Sequence, residues 1–264
     1  MVAITADPAP ARFSMGRVVT RTFEVFGQNL IPFLILATLS VAPPMIVSFL
    51  IARSLPPTVS PLAIFTPLRI VVMIFNVIFA LVMGYLLQAA LVQGTITSLN
   101  GRPASLGECL STAVRFLPRL IGIGILAGLG MIFASLLLIV PGLILFTIWS
   151  VVAPACVAEN LNIGGSFSRS TDLTRGHRWA IFGLVFAFGL ACLVATFALR
   201  PLAGAGILPT SHDHMPQAVL YWIVDTALRI ITTSIGGIGI ASVYYELRTI
   251  KEGVGPEQLA AVFA

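Results

Sequence analysis

Few side chains in this 264-residue chain could do chemistry, and their spacing limits what that chemistry could be. There are three histidines: His177, and the pair His212 and His214 on either side of Asp213. The His212–His214 triplet could offer two imidazoles and a carboxylate to a metal. A closed site needs a fourth ligand, and none stands at a suitable spacing, so the triplet reads as a solvated loop. The run "GIGILAGLG" at 122–130 superficially has the glycines of a dinucleotide loop. It lies inside an apolar stretch, with no strand before it and no acid about 20 residues further on, and that excludes the motif. "GGS" at 164–166 lacks a nearby histidine to activate Ser166. No G-K-[ST], H-E-x-x-H or G-x-S-x-G occurs. The expectation is therefore no catalytic residue, no cofactor, no metal and no enzyme activity.

Charge is the other source of chemistry. "SRSTDLTRGHRW" at 168–179 gathers Arg169, Asp172, Arg175, His177 and Arg178 in a chain of which only 9% is charged and 58% hydrophobic. A soluble domain carries about 25% charged residues, so this inventory cannot make a water-facing surface. The chain reads as an all-α, polytopic membrane bundle. Its net charge of +5 is loop charge that sets orientation and meets anionic headgroups, rather than a nucleic-acid footprint. Cys109, Cys156 and Cys192 fall in apolar or amphipathic stretches and read as small packing residues. Residues 1–12 have no basic region ahead of an apolar core, so no cleavable signal peptide is expected. They read as a disordered tail, 13–253 as one membrane domain, and 254–264 as a second tail.

A span needs about 20 apolar residues. Six stretches supply it: Leu30–Ala52, Ile70–Ile96, Leu120–Val140, a short Leu143–Ala158 after a break at Pro141-Gly142, Trp179–Leu199, and about Gln217–Tyr245. Eleven of the fifteen basic residues fall in the N-terminal segment, two alternate connections and the C-terminal tail. Both termini are therefore expected to be cytoplasmic.

Those cytoplasmic segments share a pattern. Aligned on Gly16, Gly107 and Gly164, each has a hydroxyl four residues on (Thr20, Ser111, Ser168) and a charge eight residues on (Glu24, Arg115, Asp172). Met15, Val18, Val19, Thr22 and Phe26 oppose Arg17, Arg21, Glu24 and Gln28. Leu106, Leu110, Ala113, Val114 and Leu117 oppose Glu108, Thr112, Arg115 and Arg119. Three interfacial amphipathic helices follow, the third ending at Gly176. They are either copies of a helix-plus-hairpin repeat or the amphipathic connectors of any polytopic protein.

Ionisable residues at span ends should pair. Asp225 and Arg229 are one turn apart in the sixth span, where each alone would cost about 2.5–3.5 kcal/mol at mid-membrane. Glu159, Glu246 and Arg248 stand at inner span ends beside the Arg169–Arg178 connector, with Arg169 expected on Asp172 and on Glu159 or Glu246. Arg17, Arg21, Arg115, Arg119, Arg175 and Arg178 are expected at lipid headgroups.

Together "RFSMGRVVTRTFEVFGQNL", "VPGLILFTIWSVVAPACVAEN", "SFSRSTDLTRGHRW" and "YYELRTIKEG" resemble the signatures of bacterial glycerophosphoryl diester phosphodiesterase membrane-domain proteins, and of the similar YciC-like inner-membrane proteins. The resemblance covers about Phe13 to Gly253. It implies a six-span protein of the bacterial inner membrane without the soluble catalytic domain that some relatives carry. Two functions are weighed. One is a non-catalytic scaffold or accessory subunit that binds lipids, anionic ones above all, or other membrane proteins or itself. The other is a transporter or channel for a small or amphiphilic molecule, with Pro43-Pro44 unwinding the first span and Asn76, Gln88 and Gln93 giving the second its polar points.

Overall fold

The computed structural model describes residues 13–53, 66–137, 139–199 and 215–252, which contain helices and no strand. In chain order the helices are α1 (Met15–Gln28), α2 (Leu30–Arg53), α3 (Pro67–Leu99), α4 (Leu106–Leu137), α5 (Ile139–Ile148), α6 (Val152–Ala158), α7 (Ile163–Thr174), α8 (Arg178–Leu199) and α9 (Met215–Glu252). Among the described residues six stretches are long and apolar enough to cross a bilayer: α2, α3, α4, α5 with α6, α8 and α9 from Trp222 onward. Their outer faces carry large apolar side chains such as Ile31, Phe75, Ile132 and Phe186 in the open, a surface that hydrocarbon stabilises and water does not. The protein is a multi-pass integral membrane bundle.

Helix starts follow the spacing in the sequence. Ser14, Ser105 and Asn162 each immediately precede a helix whose second residue is Gly16, Gly107 or Gly164. Ser14 Oγ accepts from the Arg17 N–H at 3.4 Å and Asn162 Oδ1 from the Gly165 N–H at 2.7 Å, satisfying donors that helix starts leave free. Each such helix leads into a pair of apolar helical segments: α2 and α3, then the rest of α4 with α5–α6, then α8 and α9.

Three expectations are corrected. The second interfacial helix is no separate element: α4 runs unbroken through Pro118 into the third span. Pro118 and Val114 both lie on the exposed side, where water or headgroups can meet the carbonyl that the proline leaves unbonded. Pro43-Pro44 does not unwind α2, which stays helical across both prolines. One turn on, Ser48 Oγ donates to Pro44 O (2.8 Å) and accepts from Asn76 Nδ2 (2.8 Å), which ties α2 to α3 beside the prolines. Pro141-Gly142 is not the break ahead of the fourth span: both lie inside α5, Pro141 in its first turn where a missing N–H costs nothing, and the span has an interruption of its own at Trp149–Val151.

Close approach of backbones sets the packing. A Cβ on Gly124 would stand 1.7 Å from Tyr85 Oη, one on Gly130 2.6 Å from Trp149, and one on Gly94 2.5 Å from Phe33. Without those side chains α4 meets α3 and the α5–α6 break, and α3 meets α2, at van der Waals range. The main core gathers Phe33, Leu87, Leu91, Phe116, Leu120 and Ile238 from α2, α3, α4 and α9. A second cluster joins Val18, Ala155, Leu173, Ile181 and Leu247 at the ends of α1, α6, α7, α8 and α9.

Candidate functional site

The second cluster lies under a polar layer built by the ends of α1, α6, α7 and α9, on the side where α1 and α7 lie. Asn160, with φ +50°, closes α6 in a left-handed cap: the Leu161 N–H donates to Cys156 O at 3.2 Å. That turn puts Glu159 at the helix end, facing α9. Glu159 Oε1 accepts from Tyr244 Oη at 2.7 Å and from Arg169 Nε of α7 at 2.9 Å. Arg169 also donates to Glu252 at the end of α9, and Arg248 Nε donates to the other oxygen of Glu252 at 2.7 Å. Arg248 Nη1 in turn donates to Tyr244 Oη at 3.5 Å, so two carboxylates, two guanidiniums and the tyrosine hydroxyl form a closed ring. Burial alone would weaken the Arg169 charge, but the hydrogen bonds and charges of Glu252 and Glu159 outweigh it and raise its pKa. Lys251 donates to the Asp172 carbonyl and ties α7 to the last turn of α9 a second time.

Across α9, a second group surrounds Glu246, whose side chain is 3% exposed. Arg17 of α1 holds its Oε1 from Nε (2.9 Å) and Nη2 (2.6 Å), and Arg21 Nη1 reaches its Oε2 at 3.3 Å. Arg21 also lies over the Tyr245 ring, 4.6 Å from its centroid. The consecutive residues Tyr244, Tyr245 and Glu246 therefore face two different interfacial helices.

The sequence-derived residues sort as follows. Asp225 and Arg229 meet at 2.7 Å within α9, with Asp225 buried and Arg229 half exposed. Arg169 meets Glu159 but neither Asp172, whose side chain is exposed, nor Glu246, which the α1 arginines hold. Arg248 pairs with Glu252 rather than Glu246. Arg17 and Arg21, expected at headgroups, turn inward because a buried carboxylate needs partners more than a hydrated headgroup does. Arg115 and Arg119 lie exposed beside Phe116, and Arg119 also donates to Asn160 at 2.6 Å. Arg175 caps α7 in the open, while Arg178 and His177 are half buried beyond Gly176, whose φ of +92° makes the α7–α8 turn. The apolar faces of α1 and α4 are divided as well. Val18, Thr22 and Val25, and Cys109, Ala113 and Phe116, enter the bundle, while Met15, Val19, Phe23, Leu106, Leu110 and Val114 stay exposed.

Besides Glu252, the shared partner of Arg169 and Arg248, two contributors were not read from the sequence. Ser166, Ser170 and Thr174 form a buried hydroxyl stripe on α7, and Ser170 Oγ donates at 2.6 Å to Ile148 O, a carbonyl left free by the α5–α6 break. Their spacing of four was the available signal. Asn29 joins the α1–α2 turn to α3 and the connection after it, donating to Ser98 Oγ (2.9 Å) and accepting from the Ala104 N–H (2.9 Å).

Chemically the layer can clamp helix ends and leave cations outside it. Its carboxylates are engaged by arginines and a tyrosine, and no histidine reaches them among the described hydrogen bonds. Among the described residues no three His, Cys, Asp or Glu converge as metal ligands; His212 and His214 lie outside the described residues. The chain matches no family model, no curated protein and no solved structure.

Proposed function

We propose that the protein is a non-catalytic membrane scaffold or accessory subunit whose interfacial layer binds anionic lipids or other membrane proteins. The carrying observation is the division of labour among its arginines: Arg17, Arg21, Arg169 and Arg248 pair with internal carboxylates, while Arg115 and Arg175 are exposed, as are the apolar Phe23, Leu110 and Val114 of α1 and α4. A rigid layer with outward cations and an apolar rim suits phosphate headgroups above acyl chains. On this reading the layer faces the cytoplasm of a bacterial inner membrane and both termini lie on that side, in keeping with the bias of basic residues toward these segments.

The test is native mass spectrometry of the protein extracted in lipid nanodiscs. Retained phosphatidylglycerol or cardiolipin, or a co-purifying membrane protein, is expected, with lipid retention reduced in Arg175→Ala combined with Arg115→Ala. Release of neutral and anionic lipid at equal rates, with no protein partner, would overturn the proposal. A second reading, a carrier for an amphiphilic molecule, draws support from a cleft at mid-span.

A further inference from the structure

Away from the charged layer, a cavity of about 360 Å³ opens between α3, α8 and α9 near the middle of all three. Gly84, Leu87, Gln88 and Leu91 form one wall, Phe188 and Cys192 the other, and Thr232, Thr233, Gly236, Gly237 and Ile240 the floor. The size is at the lower end of the roughly 300–1,000 Å³ typical of ligand pockets. Glycine shapes it. A Cβ on Gly237 would stand 2.6 Å from Leu91, and one on Gly236 3.2 Å from Phe188, so α9 lies close against both walls. A Cβ on Gly84 would meet nothing within 4 Å and would project into open space.

The polar content of the cleft says what would fill it. No lining residue is charged. Thr232 donates its hydroxyl to Leu228 O at 2.9 Å, whereas the amide of the half-buried Gln88 and the hydroxyl of Thr233, at the exposed rim of the cleft, make no hydrogen bond among the described residues. At hydrocarbon depth no water is at hand to take their place, so an unpaired amide there is costly and favours an occupant that brings its own partner. An ion is excluded, because nothing in the cleft offsets a charge. A plain acyl chain would leave the amide unmet.

We propose that this cleft binds an uncharged lipid bearing a carbonyl or hydroxyl group, of the diacylglycerol type, with that group on Gln88 and Thr233 and its chain along Leu91, Phe188 and Ile240. The site goes beyond the interfacial reading and does not depend on it, since no arginine of the layer lines the cleft.

The test uses the full chain in nanodiscs and a diacylglycerol with a diazirine in one acyl chain. After photolysis, adducts mapped by peptide mass spectrometry are expected on the segments around Leu87–Leu91 and Phe188–Cys192, and excess dioctanoylglycerol should suppress them. Gln88→Leu keeps the volume and removes the amide, and should weaken that competition about tenfold. Gly84→Phe fills the open space and should abolish the adducts, while Arg175→Ala leaves them unchanged. Adducts spread over the whole lipid-facing surface would overturn the site, as would adducts indifferent to Gly84→Phe. Equal labelling and competition by a phosphatidylglycerol carrying the same diazirine would overturn the preference for an uncharged lipid. Failure here leaves the anionic-lipid experiment untouched, and the reverse also holds.

Discussion

Arg17 Nη2 and Glu246 Oε1 lie 2.6 Å apart, although 229 residues separate them, and the two ends of the pair are not alike. The Glu246 side chain is buried at 3% exposure, whereas Arg17 is half exposed. Removing the carboxylate leaves arginines that can turn to water or phosphate; removing the arginines strands a buried charge. Arg17→Ala with Arg21→Ala should therefore cost about 3–5 kcal/mol, and Glu246→Gln clearly less. Thermal melts in one detergent compare them, and a larger loss for Glu246→Gln would reverse the assignment.

Arg169 and Arg175 sit six positions apart on and beside α7 yet should behave differently. Arg169→Ala removes partners from both Glu159 and Glu252, which are only partly exposed, and should cost about 2–3 kcal/mol, below the value for a fully desolvated pair. Arg175→Ala should change stability by less than about 0.5 kcal/mol, as exposed substitutions do. Equal losses in parallel melts would count against the ring around Tyr244.

Asp225 and Arg229 form an i, i+4 pair with Asp225 buried and Arg229 half exposed. Arg229→Gln should destabilise more than Asp225→Asn, because it leaves the buried member charged and alone. The double variant should be little worse than Arg229→Gln. A double-mutant cycle reads the coupling, and strict additivity would mean that the two act independently.

Gly124→Ala should cost about 1–3 kcal/mol, as overpacking does, because the new methyl would enter the space of the Tyr85 ring end. Tyr85→Leu shortens the obstacle and should suppress part of that loss. An unsuppressed loss, measured by denaturation of the two single variants and the double, would place the strain elsewhere.

Topology has its own check. A reporter fused after Lys251 and one inserted in the connection between α8 and α9 should report opposite sides of the membrane. Signals from the same side would contradict an α9 that spans.

Whatever depended on near neighbours was legible in the residues. Spans could be located because hydrocarbon thickness and hydropathy act on about 20 consecutive residues at a time. Asp225 and Arg229 could be paired because one helical turn brings them together in any tertiary setting. Gly176 could be read as the end of α7 because a left-handed turn suits a residue without a side chain. What lay beyond reach were choices among partners. Arg169 has Asp172 three residues away on its own helix but turns to Glu159 and Glu252, because α6 and α9 end beside it and their carboxylates are less hydrated than an exposed aspartate. Arg17 and Arg21 were equally suited to headgroups until packing of α1 on α9 put a buried Glu246 within reach. The cleft beside Gln88 exists because Gly236 and Gly237 of α9 lie close against Phe188 of α8 and Leu91 of α3, while Gly84 leaves the space beside it open. Such docking is decided by the summed fit of many side chains far apart in the chain, which no local pattern encodes.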